Sequence, residues 1–408
     1  MSNAQGPLYG IRILDLSRIL AGPYCTQLLG DLGADIVKVE RPGVGDDTRT
    51  WGPPYVQTVD GDAPQESGYY LCTNRNKRSV ALDISKPTGQ ELLRALLKKC
   101  DVLIENFKVG GLQKYGLAYE QLKGEYSRLV YCSITGFGQT GPYANRPGYD
   151  LLAQGLGGIM SVTGESERLP SKIPVAINDI MTGMYSAVAI LAALWHRERT
   201  GSGQQIDIGL LDTQVAWLAN VGLNYLLSGE VPQRLGSAHP NVVPYQVFPS
   251  SDGYFILGAG NDEQFRRLSA LLGEPNWADD ARFATNAARV HNREALIDLI
   301  SQRTTQHPRD HWLKALEKMG VPCGPVNTID QVFADPQVDH RQMKITMPHA
   351  LAADGTVPLI GNPLKLSATP VTHRRAPPEL GEHTDEVLEE LLNLDAQERQ
   401  RLRQEGVI

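Results

Sequence analysis

The segment Ile177-Asn178-Asp179-Ile180-Met181-Thr182-Gly183 sets an acidic residue at the start of a long apolar run. The run continues from Met184 to Trp195 and closes on His196-Arg197-Glu198-Arg199 and the stop signal Gly201-Ser202-Gly203. This pattern predicts a buried helix whose polar start faces something. A carboxylate there lies among unpaired backbone N–H groups at the positive end of the helix dipole, and both favour the ionised form. Asp is also a preferred capping residue. The local pattern therefore leaves two uses for Asp179 open, a cap and a catalytic carboxylate.

The rest of the chain narrows the chemistry. The five cysteines, Cys25, Cys72, Cys100, Cys132 and Cys323, are odd in number and include no CxxC, which argues against a disulfide framework or a zinc site. Free thiols in a reducing cytoplasm are expected. The net charge of −7 gives no electrostatic footprint for nucleic acid or an anionic membrane. No 18-residue stretch is purely apolar, so no membrane-spanning helix is expected. The start, Met1 to Pro7, has neither a charged n-region nor an apolar h-region.

Asp179 needs a scaffold, and 408 residues with 41% hydrophobic content suffice for a substantial core in two or more domains. Strands are predicted at Ile11–Leu16, Asp35–Glu40, Val80–Ile84, Asp101–Glu105 and Leu129–Ile134. Helices are predicted at Ala21–Ala34 and near Pro87–Lys99. Alternation of this kind implies βαβ units and a mostly parallel sheet. A long irregular stretch at 43–78 is of a length that is usually functional. Near residue 225 the texture changes to a hairpin, Tyr245–Phe248 with Tyr254–Leu257, and three amphipathic helices at about 261–273, 292–304 and 308–319. The expected organisation is α/β: a Rossmann-like large domain from 1–215 and 335–408, with a smaller α+β domain, 225–330, inserted. The strand at 11–16 is followed by Ser17-Arg18-Ile19-Leu20-Ala21-Gly22-Pro23 and not by GxGxxG, which argues against a nucleotide-dependent oxidoreductase.

Over most of its length the chain resembles the class III CoA-transferases (the CaiB/BaiF family), which include formyl-CoA transferase and α-methylacyl-CoA racemase. The resemblance is carried by Leu14-Asp15-Leu16-Ser17-Arg18 with Leu20-Ala21-Gly22-Pro23, by Leu29 to Glu40, by Asn74 to Ser79 and by Glu105-Asn106-Phe107. It continues in Ser133 to Gly138, Gly141-Pro142-Tyr143, Pro147-Gly148-Tyr149-Asp150 and the Asp179 helix. Arg49 to Pro54, Val243 to Gln246 and His291-Asn292-Arg293 resemble the succinate–hydroxymethylglutarate (glutarate) branch, which moves CoA between dicarboxylates.

The resemblance implies an enzyme whose nucleophile is Asp179, with Tyr149 and Asp150 beside it. It implies an interlocked-ring homodimer, with acyl-CoA and small carboxylic acids as its partners and no permanently bound cofactor. CoA contacts are implied at Arg41, Asn74, Arg75, Lys77, Arg78, Phe107, Lys108 and Lys114. Lys114 stands where formyl-CoA transferase has Arg, which weakens a bidentate phosphate contact there. The family uses a glycine loop at Gly258-Ala259-Gly260, which would supply N–H donors to developing oxyanions. A plain strand-to-helix turn is the other reading of those glycines. Acid-side contacts are expected from Arg18, Leu20, Arg49 and His239, with the cations meeting a distal carboxylate. Leu20 replaces the Gln of formyl-CoA transferase. Tyr149 stands where racemases carry His, and Tyr titrates too high for an α-proton base near neutrality. Transfer is therefore favoured over racemisation, with a non-catalytic acyl-CoA-binding protein as the remaining alternative.

Overall fold

Alternate residues of the first strands point to two different cores. The computed structural model describes residues 6–58 and 66–408. Residues 1–5, and 59–65 of the expected irregular stretch, lie outside it. In chain order the first unit contains β1 (Arg12–Asp15), α1 (Ala21–Asp31), β2 (Asp35–Glu40), β3 (Lys77–Ala81), α2 (Pro87–Leu97), β4 (Val102–Glu105), β5 (Val130–Thr135), α3 (Asp150–Leu156), α4 (Ile177–Thr200), β6 (Gln205–Gly209) and α5 (Leu210–Ala216). The six strands form one sheet in the order β3-β2-β1-β4-β5-β6, and every pairing is parallel. This is the order of a doubly wound nucleotide-binding sheet.

Because side chains alternate along a strand, Ile13, Ile36, Val102, Ile104 and Val130 face one layer, with Cys25 and Leu29 of α1 and Ala187, Ile190 and Leu194 of α4. Leu14, Val37, Val80, Leu103 and Tyr131 face the other, with Leu93, Leu96 and Leu97 of α2. Burial on both faces explains why these strands read as apolar runs. Complete burial of each Leu or Ile is worth about 1.5–3 kcal/mol.

α4 crosses α1 at close range. A Cβ added at Gly183 would come within 2.6 Å of the Ala21 carbonyl oxygen, so only glycine fits there. Asp179 lies one turn before Gly183 on the same helix face. The crossing therefore carries Asp179 to the start of α1. By length and composition alone α4 is long and apolar enough to span a membrane, with half of its apolar window buried in the structure. Its packing on the sheet, and its buried Arg197 paired with Asp101 at 2.9 Å, are those of a core helix.

β3 starts three residues earlier than expected. Lys77 and Arg78 obscured it in the sequence, and they are tolerated because each is paired, Lys77 with Asp15 and Arg78 with Asp35.

The second unit, 158–173 and 218–335, has its own core. β7 (Tyr245–Ser250) and β8 (Gly253–Gly258) form the expected antiparallel hairpin, and β9 (Cys323–Pro325) adds to β8. Phe248, Phe255 and Leu257 pack with α6 (Asp262–Leu271), α7 (Arg293–Thr304) and α8 (Arg309–Lys318). Residues 158–173, expected with the first unit, group with the second because Arg234 donates to the carbonyls of Glu165, Ser166 and Arg168. The chain then returns to the first unit through the antiparallel pair β10 (Lys344–Pro348) and β11 (Thr356–Ile360) and the helix α9 (Thr384–Leu392). Val387 and Leu391 of α9 complete the α2 layer.

Candidate active site

The sheet order reverses between β1 and β4, and ligand crevices in such sheets open at the carboxyl ends of the strands flanking that point. A cavity of about 220 Å³ lies there. Arg18, Ile19 and Leu20 line it after β1, Asn106, Phe107 and Lys108 after β4, and Thr135 and Gly136 at the end of β5. Asp179 and Tyr149 close its wall.

Asp179 is the third residue of α4, not its cap. The cap position, Ala176, offers no side-chain acceptor. The role falls to Asp150, the first residue of α3: its Oδ1 accepts from the backbone N–H of Asn178 at 2.9 Å and of Asp179 at 3.4 Å. Its Oδ2 accepts from Gln154 Nε2 at 2.7 Å. Asn178 Nδ2 donates to the Leu210 carbonyl at 3.0 Å, fixing the helix start against α5. The donors expected to hold Asp179 ionised thus serve Asp150. Asp179 is 8% exposed, and burial, reinforced by the Asp150 charge, pushes its carboxyl up to about 7. The structure replaces a carboxylate steadied by the helix start with one desolvated beside a second carboxylate.

The wall after β1 is strained. Ile19 has φ 72°, a left-handed conformation that a β-branched side chain resists at a cost of about 1–3 kcal/mol. Three hydrogen bonds impose it. Asn106 Oδ1 accepts from Arg18 N at 3.0 Å, Asn106 Nδ2 donates to Arg18 O at 2.7 Å, and Asp46 Oδ1 accepts from Ile19 N at 3.2 Å. Asp46 is itself fixed by the buried Lys38 at 2.8 Å. Burial raises the Asp46 carboxyl, but Lys38 and Thr48 outweigh it and lower the group to about 2. Glu105 holds the turn after β4 by accepting from Phe107 N at 2.8 Å, and burial pushes its carboxyl up to about 7. Asn106 and Glu105 belong to a recognisable sequence motif, but their partners are not readable from it. Arg146, which also lines the Asp179 cavity, had no sequence signal beyond its place shortly before Tyr149.

A second cavity of about 490 Å³ shares Arg18 and Phe107 with the first and is lined by Arg41, Lys38 and Tyr115. Lys108 and Lys114 are exposed, with Lys114 Nζ 4.6 Å from the centre of the Tyr115 ring. Of these cations Arg41 lines this cavity, Lys108 lines the Asp179 cavity, and Lys114 sits beside Tyr115.

Several expected site residues have other duties. Arg49, 4% exposed, pairs with Glu40 at 2.7 Å and with Glu66, and donates to Tyr70 Oη at 2.6 Å and to the Pro378 carbonyl at 3.2 Å. Its guanidinium is fully engaged and takes no distal carboxylate. Burial pushes Glu66 up to about 7 against the pull of Arg49. Arg75 pairs with Asp31 at 2.6 Å and donates to the Ile360 carbonyl. Arg78 pairs with Asp35 and Glu390, each at 2.6 Å. Lys77 donates to the Pro23 carbonyl and to Asn74 Oδ1, each at 2.9 Å, besides meeting Asp15. Asn74, Arg75, Lys77 and Arg78 are all buried, and these contacts brace the sheet.

His239, Gly258 and Gly260 belong to the second unit. His239 Nδ1 accepts from Asn241 N at 3.0 Å. The N–H groups of Gly258 and Ala259 donate to the Pro322 and Pro244 carbonyls, and that of Gly260 to Gln264 Oε1 at 2.7 Å. Asn261 caps α6 through Gln264 N. In this geometry the glycine segment is a strand-to-helix turn with its donors engaged, and not a set of free oxyanion donors.

Comparison with known proteins gives the chain a family. The family model described as CoA-transferase family III matches residues 8–384. A succinate–glutarate CoA-transferase of Agrobacterium fabrum is 51% identical over 97% of this chain and 98% of its own length. The human succinyl-CoA:glutarate CoA-transferase is 44% identical over 100% of this chain and 91% of its own. A crystal structure of a CaiB/BaiF family protein from Brucella suis superposes with a TM-score of 0.83 at 52% identity, covering 95% of this chain and 100% of that one. The chain is an enzyme of CoA-transferase family III.

Proposed function

We propose that this enzyme transfers CoA between succinyl-CoA and glutarate or a closely related dicarboxylate, with Asp179 as the covalent nucleophile. One observation carries the mechanism: a buried carboxyl group on the cavity wall that no hydrogen bond reaches among the described residues, its helix-start donors being taken by Asp150. A carboxylate without partners in a cavity costs stability and is retained for chemistry.

The Asp179 carboxylate attacks the succinyl-CoA carbonyl. The C–S bond breaks, leaving a succinyl-aspartyl anhydride and CoA thiolate. The thiolate attacks the aspartyl carbonyl, releasing succinate and leaving an aspartyl-CoA thioester. Glutarate attacks that thioester and again frees the thiolate. Attack of the thiolate on the glutaryl carbonyl yields glutaryl-CoA and restores Asp179. Covalent catalysis splits one exchange into four attacks of ordinary difficulty. The small cavity limits water, which would hydrolyse either anhydride. The start of α1, where no side chain caps the helix, offers backbone N–H groups to the developing oxyanions. The CoA phosphates sit among Arg41, Lys108 and Lys114, with Phe107 along the pantetheine. Tyr149, 59% exposed at the cavity mouth, orients the thioester.

The homodimer belongs to the same reading. Leu151 and Leu156 of α3 and Met184, Val188 and Trp195 of α4 are exposed apolar side chains suited to a subunit contact.

Trapping tests the mechanism. Incubation with succinyl-CoA should let hydroxylamine convert Asp179 to the hydroxamate, a gain of mass, or borohydride reduce it to the alcohol, a loss of mass, and should change no other residue. Asp179→Ala should show neither label nor transfer while still unfolding in a cooperative thermal transition. Transfer at the wild-type rate by Asp179→Ala would sink the covalent mechanism.

A further inference from the structure

With Arg49 committed elsewhere, the cation that reads the distal carboxylate must come from the Asp179 cavity itself. Three line it: Arg18, Lys108 and Arg146. Arg18 is tied to Asp47 at 2.7 Å. Lys108 also lines a separate cavity beside Glu105. Arg146 differs from both. Its guanidinium carbon lies 3.8 Å from the centre of the Tyr143 ring. Among the described residues no carboxylate pairs with it. Stacking occupies the guanidinium face and leaves its edge N–H groups to meet a carboxylate in bidentate fashion.

The loop that presents Arg146 is built for placement. Gly136 and Gly148 meet back to back at its base: a Cβ on Gly148 would lie 2.2 Å from Gly136 Cα. Phe137 meets Tyr143 edge-on at 5.6 Å, and Gln139 N donates to the Asp207 carboxylate at 2.9 Å. The same loop runs directly into Tyr149 and then Asp150, which sets the Asp179 helix start.

We infer that Arg146 is the specificity-determining residue that binds the second carboxylate of the transferred acid. The inference rests on the dicarboxylate reading above. Steady-state kinetics with succinyl-CoA as donor test it, with glutarate and pentanoate as acceptors of equal chain length. In a ping-pong sequence the acceptor kcat/KM reports only the half-reaction that begins at the aspartyl-CoA thioester, so the donor's own carboxylate drops out. Arg146→Gln should lower kcat/KM for glutarate roughly 10–100-fold, the loss expected for a charge-assisted contact, with pentanoate changed less than about threefold. Arg146→Lys should recover part of the preference as a point charge. A glutarate-to-pentanoate ratio unchanged in Arg146→Gln, a ratio that falls only in Arg18→Gln, or a loss confined to the KM of the CoA thioester would each overturn the assignment while leaving the transferase reading intact. A wild type that uses pentanoate as well as glutarate would overturn the dicarboxylate reading, and this inference with it.

Discussion

Asp179 titrates near 7 in the folded chain and near 3.8 when exposed. Its folded value is raised, so between these limits the folded state holds the proton and the unfolded state releases it. This group therefore lowers stability as pH rises from about 4 to about 7, and the full cost, on the order of 2–4 kcal/mol, is present above 7. Asp179→Asn should melt higher than wild type at pH 8, with the gap closing towards pH 4. Parallel melting curves at every pH would refute this. The same titration governs chemistry: the rate of Asp179 labelling by succinyl-CoA should rise with pH through a midpoint near 7. Asp150→Asn keeps an acceptor for the helix-start N–H groups but removes the neighbouring charge, so that midpoint should move down. A stationary midpoint would leave burial as the sole cause. Arg49→Met should cost about 3–5 kcal/mol by leaving Glu40 and Glu66 unpaired, with no change in the preference between glutarate and pentanoate. Asp150 entered only through the family resemblance, whereas Asp179 stood out in the sequence because helix-start chemistry is local. The duties of Arg49 and Arg75 did not, because their partners at Pro378 and Ile360 are remote in the chain.

At the scale of elements, the α1–α4 crossing sets the position of the nucleophile. Gly183→Val would drive a side chain into the Ala21 carbonyl. Overpacking of this kind costs about 1–3 kcal/mol. Because the same crossing brings Asp179 to the cavity, activity should fall by more than the stability loss explains. A variant that melts lower yet transfers at the wild-type rate would show that Asp179 is located by Asp150 and not by the crossing. Sequence periodicity reports such elements well where both faces are buried, as in β1, β2, β4 and β5. It failed at β6, an edge strand paired only with β5, whose exposed Gln205 and Asp207 dilute the apolar signal. It also misplaced β3, where paired cations mimic a loop.

Over the whole molecule, alternation of strands and helices sufficed to read a parallel sheet, and the hairpin marked the second unit. The grouping of residues 158–173 with that unit was not legible, since it depends on Arg234 meeting carbonyls more than sixty residues upstream. The return of the chain to the first unit carries a further implication, for synthesis. Arg49 and Tyr70 bond the Pro378 carbonyl, Asn76 N donates to Arg375 O, and Ala81 N donates to Thr384 Oγ1. β3 and its neighbours therefore lack these C-terminal partners while the second unit is being made. From Trp217 to Thr384 a ribosome at about 5–20 residues per second needs roughly 10–30 s. Once residue 335 is made the second unit has all of its chain and can fold, while buried cations and carboxylates of the first still wait for their last acceptors. The nascent enzyme should pass through a state in which its nucleophile and all six strands are already synthesised but the C-terminal segment that packs beside β3 is not, the stage at which chaperones have the most to hold.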